Sequence, residues 1–484
     1  MRIFRSISIA ALAVAGTAHA GIVISGKPTQ NMTCSGGVCS ATAAKAFLNV
    51  HDLEAMLAGG DVLVASDAVS GDIRIDAQVR WAQTSQLTLD AYRSIVFDKA
   101  LTVGGRGRLA LRYNDGAGDG DLRFVDDGHV KFSNRKASLV INGVSYVMAG
   151  TLDEIAAQST TPFVALRQSI NTAGQTYTAS PVENFSGFLE GLGNTVSNLT
   201  INPAAPSANV GLIGRLRSTG SATPSVRDLG VVGVHIEGSA SDQTVGALVG
   251  VCNGCLVLNS YATGQIAAPD GAALGGLVGQ NSKGFVRRSH AAVTVSGGAG
   301  ALYVGGLVGR MIGSCLHACL GTVASSYATG AVSGADGVSA GGLIGYDLEG
   351  VVASSYATGS VTVGNNAFAG GLMGTGEDDN IRFLEMNQTY STGLVSGGTN
   401  AKLGGFIGRD LTSHTSYNNY WDLDTSGISD PHRGAGDITD DEGITGLTTS
   451  QFQSGMPQGF YSTVWGESAS INDGLPYLLA LPPE

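Results

Sequence analysis

The stretch SSYATGAVSG at 325–334 returns as SSYATGSVTVG at 354–364, and NSYATGQI precedes both at 259–266. One strand rewritten at a spacing of about thirty residues marks a chain of stacked units, because a unit of that size cannot bury its own apolar side and needs a neighbour on each flank. A second phrase runs out of phase with the first: GLIG (211–214), GALVG (246–250), GGLVG (275–279 and 305–309), GGLIG (341–345), GGLMG (370–374) and GGFIG (404–408). Their central residues Leu212, Leu248, Leu277, Leu307, Leu343, Leu372 and Phe406 are separated by 36, 29, 30, 36, 29 and 34 positions. The aromatic positions Tyr261, His290, Tyr327, Tyr356, Tyr390 and Tyr417 follow their glycine boxes by 13, 13, 20, 13, 18 and 11 residues. The two longest offsets contain MIGSCLHACLGT and GEDDNIRFLEM, which read as loops inserted into a regular core.

Period and composition together select the architecture. A propeller blade takes about 40 to 45 residues in four strands, whereas a β-helix coil needs only two or three short strands and turns. Helical repeats are disfavoured, since two or three glycines per box would cost a helix about 1 kcal/mol each. Glycine is 72 of 484 residues without a collagen period, which suits many short strands joined by tight corners. The sequence thus predicts an all-β fold: a parallel β-helix (β-solenoid) with minor helical decorations.

Outward from the repeats, residues 206–425 form the expected repeat array and 426–484 a C-terminal cap or tail. Upstream, 21–150 alternates polar and apolar residues between glycine-rich breaks and reads as an N-terminal solenoid-like region with a cap. HDLEAMLAGG (51–60) predicts a short helix with Leu53, Met56 and Leu57 on one face. Thr151 and Glu154 form a capping box opening a helix near 151–158, within a transition segment at 151–205. Residues 1–20 combine Arg2 and Arg5, an apolar stretch and Ala18-His19-Ala20, the pattern of a secretory signal, so the mature chain is expected to start at Gly21 and to be secreted or surface-located. No other stretch has the length of a membrane span.

The formal net charge is −12, and loss of Arg2 and Arg5 deepens it by two, so phosphate backbones are repelled and nucleic acid is not an expected partner. Six cysteines fall in three local pairs, Cys34 with Cys39, Cys252 with Cys255 and Cys315 with Cys319, which an exported chain closes as small disulfide loops. A zinc site made of the last four is the alternative, though the spacing of the second pair fits it poorly. No metal site and no cofactor are predicted.

Several longer phrases carry a family resemblance. NFSGFLEGLGNTVSNLTI (184–201), then VRDLGVVGVHIEGS and the alternating GGLVG and SYATG phrases, resemble the GLUG-repeat proteins of bacteria, and YNNYWDLDTSG (417–427) with GITGLTTSQFQSG (443–455) looks like the end of such an array. The upstream part is similar to β-helical segments of filamentous-haemagglutinin-like exoproteins. The resemblance implies a large extracellular or surface β-solenoid, often an adhesin. Asparagine-proline signatures of two-partner secretion are not found, nor a translocator barrel or cell-wall sorting signal.

Catalytic patterns are sparse. Some immunoglobulin A peptidases carry GLUG repeats, but H-E-x-x-H, which would bind zinc and activate water, is absent. His51, His129, His235, His290, His317, His414 and His432 are scattered, and no G-x-S-x-G elbow stands in a strand-turn-helix setting. Acidic groups at Glu377, Asp378 and Asp379, and at Asp437, Asp440, Asp441 and Glu442, could serve a polysaccharide-active lyase or hydrolase, or simply be solvated turns. DLDTSG from Asp422 begins like a calcium loop but has Arg433 at position twelve, and GAGDGDL (116–122) is one imperfect calcium-binding nonapeptide. The expected function is non-catalytic adhesion or matrix interaction with a glycan or protein; a polysaccharide-active enzyme is the alternative. Tyr261, Tyr327, Tyr356 and Tyr390 are the candidate binding residues, and stacking within the core is the other role open to them.

Overall fold

Short apolar runs broken by glycines and left-handed corners leave little room for helices, and the chain folds as a mostly β protein. The computed structural model describes residues 21–483 apart from 117, 119, 204, 207, 219, 221, 239–242, 314–320, 379–383 and 413–415. The expected leader and the pair Cys315 and Cys319 lie outside the described residues. Two compact parts divide the chain, one ending at Ser145 and one beginning at Tyr146.

In the first part, successive strands pair in parallel and in register. Ile73, Ile95 and Leu122 are aligned on one ladder, Val79, Leu101 and Val130 on a second, and Leu87, Leu109 and Leu139 on a third. All nine are buried, so the polar–apolar alternation seen in the sequence is the alternation of the pleat. Helix α1 (Val50–Gly59) forms as expected: the Asn49 side chain accepts from the N–H groups of His51 and Asp52, and Leu53 and Leu57 are buried. Cys34 faces Cys39 across an antiparallel pair and the two form a disulfide.

The second part contains helix α2 (Leu152–Ala157), capped by Thr151, whose Leu152 and Ile155 enter the core. Its expected partner Glu154 reaches the Gly150 N–H at 2.6 Å. Strands from the 151–205 stretch share a ladder with the repeats: Leu189 aligns with Val226, which aligns with Val257, within one parallel ladder. Each repeat then contributes a strand before its glycine box, such as Tyr303–Gly305, and one after it, such as Val308–Ile312. These belong to sheets of seven and eight strands respectively, and a third set of parallel strands carries the tyrosine phrases. The central box residues Leu212 to Phe406 are wholly buried, and the N–H groups of Leu307, Leu343 and Leu372 donate to the equivalent residue of the next repeat at 2.8–2.9 Å.

The glycines of each box are fixed by the neighbouring repeat. A Cβ on Gly306 would overlap the Gly342 carbonyl oxygen and press on Ala328, the alanine of SSYATG, 3.0 Å away. The two phrases of the repeat therefore meet across the core, one lacking a side chain where the other has a methyl group. Each remaining letter of SSYATG has a place too. The first serine occupies a left-handed corner, as do Asp228, Asn259, Arg288, Ser325, Ser354, Gln388 and Asn418, all with φ between +46° and +57°. The second is buried and bonds twice: Ser326 Oγ donates to the Ala324 carbonyl at 2.8 Å and accepts from the Ser289 N–H at 3.2 Å, and Ser260, Ser289 and Ser355 repeat this. Leaving one of these N–H groups without an acceptor would cost about 1–3 kcal/mol.

The column that holds Ala262, Ala291, Ala328, Ala357 and Ser391 continues to the buried Trp421 and ends at Gly446 on the strand Ile444–Leu447. Beyond it, helix α3 (Thr449–Gln453) and the following loop return to the outside of the repeats, where Phe452, Phe460, Trp465, Leu475 and Leu478 pack against Tyr327, Tyr356, Tyr390 and Tyr420.

Candidate functional site

The tyrosine row is a column of stacked rings. Tyr261 to His290, His290 to Tyr327, Tyr327 to Tyr356 and Tyr356 to Tyr390 have centroid separations of 5.1, 4.7, 4.8 and 4.9 Å, with planes within 12° of parallel. An exposed face made of these residues is not what the structure gives. Tyr327, Tyr356 and Tyr390 are 3%, 0% and 0% exposed, because the segment after α3 covers them, and Tyr390 Oη donates to the Pro476 carbonyl at 2.6 Å. Only Tyr261 and His290 keep partial exposure. The last ring of the row is Tyr420 rather than Tyr417: Tyr420 aligns with Tyr390, while Tyr417 aligns with Asn387 and is exposed. Burial without a partner for its Nδ1 lowers the His290 pKa to about 4, which keeps the ring neutral in the stack.

A second face runs beside the glycine boxes. The sharp corner brings the outward side chains of the strands before and after each box across from one another, forming a cleft with two columns. After the boxes, one column reads Arg215, Val251, Gln280, Arg310, Tyr346, Thr375, Arg409. Facing it are Asn209, Thr244, Ala273, Tyr303, Ser339, Phe368 and Lys402. At its centre the Arg310 guanidinium lies 5.4 Å from the Tyr303 ring and 5.7 Å from the Tyr346 ring, whose centroids are 4.6 Å apart. Arg310 Nε is buried there without a hydrogen bond. Tyr346 Oη donates to Glu377 Oε2 at 2.7 Å, and burial, then this bond, raises the tyrosine's pKa. Ser339 Oγ lies 2.8 Å from Thr375 Oγ1, and Arg409 stacks on Phe368 at 5.0 Å. At the other end a cavity of about 300 Å³ is lined by Ser180, Glu183, Asn184, Asn209 and Arg215, with the Asn209 amide oxygen accepting from Arg215 Nη2 and Nε at 2.8 and 2.6 Å. Thr244, Ala273, Ser339 and Thr375 are buried within the two columns, and the rings, guanidinium groups and carboxylates between them form a surface suited to binding a polyhydroxylated chain.

The other acids separate by position. Glu377 belongs to the cleft, Asp378 beside it is nearly buried, and Asp379 is outside the described residues. Asp437 accepts from the Asp410 N–H at 3.0 Å, and Asp440 pairs with His432. Asp441 is buried beside Asp410, and burial followed by that negative neighbour raises its pKa to about 8. Glu442 is exposed. Asp422 does not open a calcium loop: its carboxylate accepts from the N–H groups of Asp424 and Thr425 and from Thr449 Oγ1, anchoring the entry to α3. Among the described residues no group of three or more His, Cys, Asp or Glu side chains is arranged to hold a metal ion. A carboxylate pair that sequence reasoning missed is Glu190 with Asp228, both buried and both bound by Arg227 Nε, at 3.3 and 2.7 Å. Burial, then Asp228, raises the Glu190 pKa well above the usual range.

Cys252 and Cys255 form a disulfide, which removes both thiols from a zinc site. They close a corner whose equivalent is closed in the next repeat by Asn281, which accepts from the Gly284 N–H and donates to its carbonyl, both at 3.1 Å. Asp347 stands in the same column, wholly buried beside Gly350, with neither carboxylate oxygen in a regular hydrogen bond, and burial raises its pKa.

No family model matches the chain. Halomucin of Haloquadratum walsbyi is 36% identical over 106 residues, which is 22% of this chain and 1% of halomucin. A crystal structure of a candidate immunoglobulin A1 protease from Bacteroides ovatus aligns with 69% of this chain and 93% of its own, at 16% identity and a TM-score of 0.43.

Proposed function

We propose that this chain is an exported, non-catalytic β-solenoid that serves in adhesion or extracellular matrix interaction, and that the cleft beside the glycine boxes is its contacting face. In this reading the parallel ladders are coils of one β-helix, the boxes are GLUG-type repeats, and residues 1–20 direct export. The observation that carries it is the continuity of the cleft's two columns through successive strands, which offers one extended surface rather than a single pocket. Attachment of the purified protein to glycan-coated and cell-coated surfaces tests it. Tyr303→Ala with Phe368→Ala is expected to reduce attachment about tenfold or more, and unchanged attachment sinks the assignment of the face.

A second reading, a polysaccharide-active enzyme, is favoured by one observation: Glu377 is held by Tyr346 within the cleft beside Arg310. New reducing ends or unsaturated products that vanish in Glu377→Gln would establish it.

A further inference from the structure

One column of the cleft carries a regular pattern of charge. Arg215, Arg310 and Arg409 stand three strands apart, with Val251 and Gln280 in the first interval and Tyr346 and Thr375 in the second. Three strand spacings come to about 14 Å. Each guanidinium is held by an uncharged neighbour: Arg215 by the Asn209 amide, Arg310 by Tyr303 and Tyr346, Arg409 by the Phe368 ring. Among the described residues none of the three forms an ion pair, unlike Arg74, Arg93, Arg108, Arg112 and Arg227, which all have carboxylate partners. In a chain of net charge −12, arginines oriented by rings and amides keep their full charge for an external anion.

From this we infer that the cleft binds an acidic polysaccharide lengthwise, its carboxylate or sulfate groups meeting Arg215, Arg310 and Arg409 and its hydroxyls meeting Gln280 and Tyr346 between them. The inference rests on the cleft being the contacting face. Glu183, in the cavity beside Arg215, and Glu377, beside Tyr346, accept hydrogen bonds from sugar hydroxyls in this arrangement. Tyr303, Tyr346 and Phe368 supply apolar faces for sugar rings. The same two carboxylates argue against a nucleic acid, whose phosphates they repel.

The test measures retention of the full-length protein on four immobilised polymers: polygalacturonate, dextran sulfate, neutral dextran and single-stranded DNA. Binding to at least one acidic polysaccharide, weakening as salt rises and at least about tenfold stronger than to dextran, is expected. Comparison of the first two polymers tells carboxylate from sulfate recognition. Replacing Arg215, Arg310 and Arg409 together by glutamine should lower that affinity about tenfold or more, and replacing all three by lysine should lower it less. Gln280→Arg, which adds a charge to the same column, should raise it. Circular dichroism of each variant verifies that it is folded. Equal binding to dextran, an unaltered glutamine triple variant, or DNA bound as tightly as the polysaccharides overturns the inference. If the triple variant attaches normally while Tyr303→Ala with Phe368→Ala does not, the contacting face stands and only its acidic ligand is lost. If neither set alters attachment, the face itself is wrong.

Discussion

The tyrosine row and the cleft are two columns of the same repeats with opposite rules. In the row, the aligned positions are Tyr261, His290, Tyr327, Tyr356, Tyr390 and Tyr420, nearly one letter throughout. In the cleft, the aligned positions are Arg215, Val251, Gln280, Arg310, Tyr346, Thr375 and Arg409, almost never the same letter twice running. Rings that stack on one another constrain each other's shape, so a buried column becomes uniform. Outward side chains meet solvent as well as each other and can vary with what they contact. In the tyrosine row repetition reports ring stacking, and in the cleft variation follows partial exposure, while the buried column of Cys252, Asn281, Met311 and Asp347 varies because each residue closes its corner differently.

Four measurements sharpen or break this contrast. The largest effect is expected from Tyr356→Ala, which removes a ring stacked on Tyr327 and Tyr390 and facing Trp465, and should cost about 3–5 kcal/mol in denaturant unfolding. Tyr346→Ala in the cleft should cost only about 1 kcal/mol, and equal losses would erase the distinction between the columns. Next, His290 should make the row acid-sensitive. Its pKa is about 4 when folded against an ordinary value near 6.5, so the unfolded chain binds the proton first, and stability is lost as pH falls from about 6.5 toward 4. His290→Tyr restores a uniform row and should remove about 2 kcal/mol of that loss between pH 7 and pH 4, read from denaturation at the two pH values.

Asp347→Asn comes third. The buried acid has a raised pKa, so wild-type stability declines as pH rises above the usual carboxylate range, and asparagine can bond to Gly350 as Asn281 does to Gly284. A gain of about 1–2 kcal/mol at pH 7 that shrinks toward pH 4 is expected from thermal unfolding. The smallest of the four is Ser326→Ala, which strands the Ser289 N–H and should cost about 1 kcal/mol. The outward Ser333→Ala, by comparison, should change stability by less than about 0.5 kcal/mol.

Much of the repeat was legible because its letters are dictated by neighbours. The box leucines are buried as the period required, the helix at 152 begins at the expected Thr151 cap, and the tyrosines align as a column. Misread were the last aromatic and the direction the row faces. Tyr420, 14 residues after Phe406, lies nearer the regular offset of 13 than Tyr417 at 11, so the spacing pointed to it, whereas nothing within a repeat announces that a segment far along the chain will cover the row. The cleft left a trace in the sequence that went unused: its columns are the residues two before each box and one after it, as in Y-V-G-G-L-V-G-R at 303–310. Aligning those positions would have brought Tyr303 and Arg310 together. That Asn209, rather than an acid, holds Arg215 depends on side-chain geometry that no spacing encodes.

The cover laid over the tyrosines by Trp465 and the loop ending near Pro476 also limits how the chain can lengthen in evolution. Duplicating the repeat that bears Tyr261 would insert a unit away from the tyrosines that the cover touches. Duplicating the one that bears Tyr390 would pull its hydroxyl from the Pro476 carbonyl and leave the cover misaligned by a full repeat, so a tandem duplication is better tolerated upstream of Tyr327 than after it.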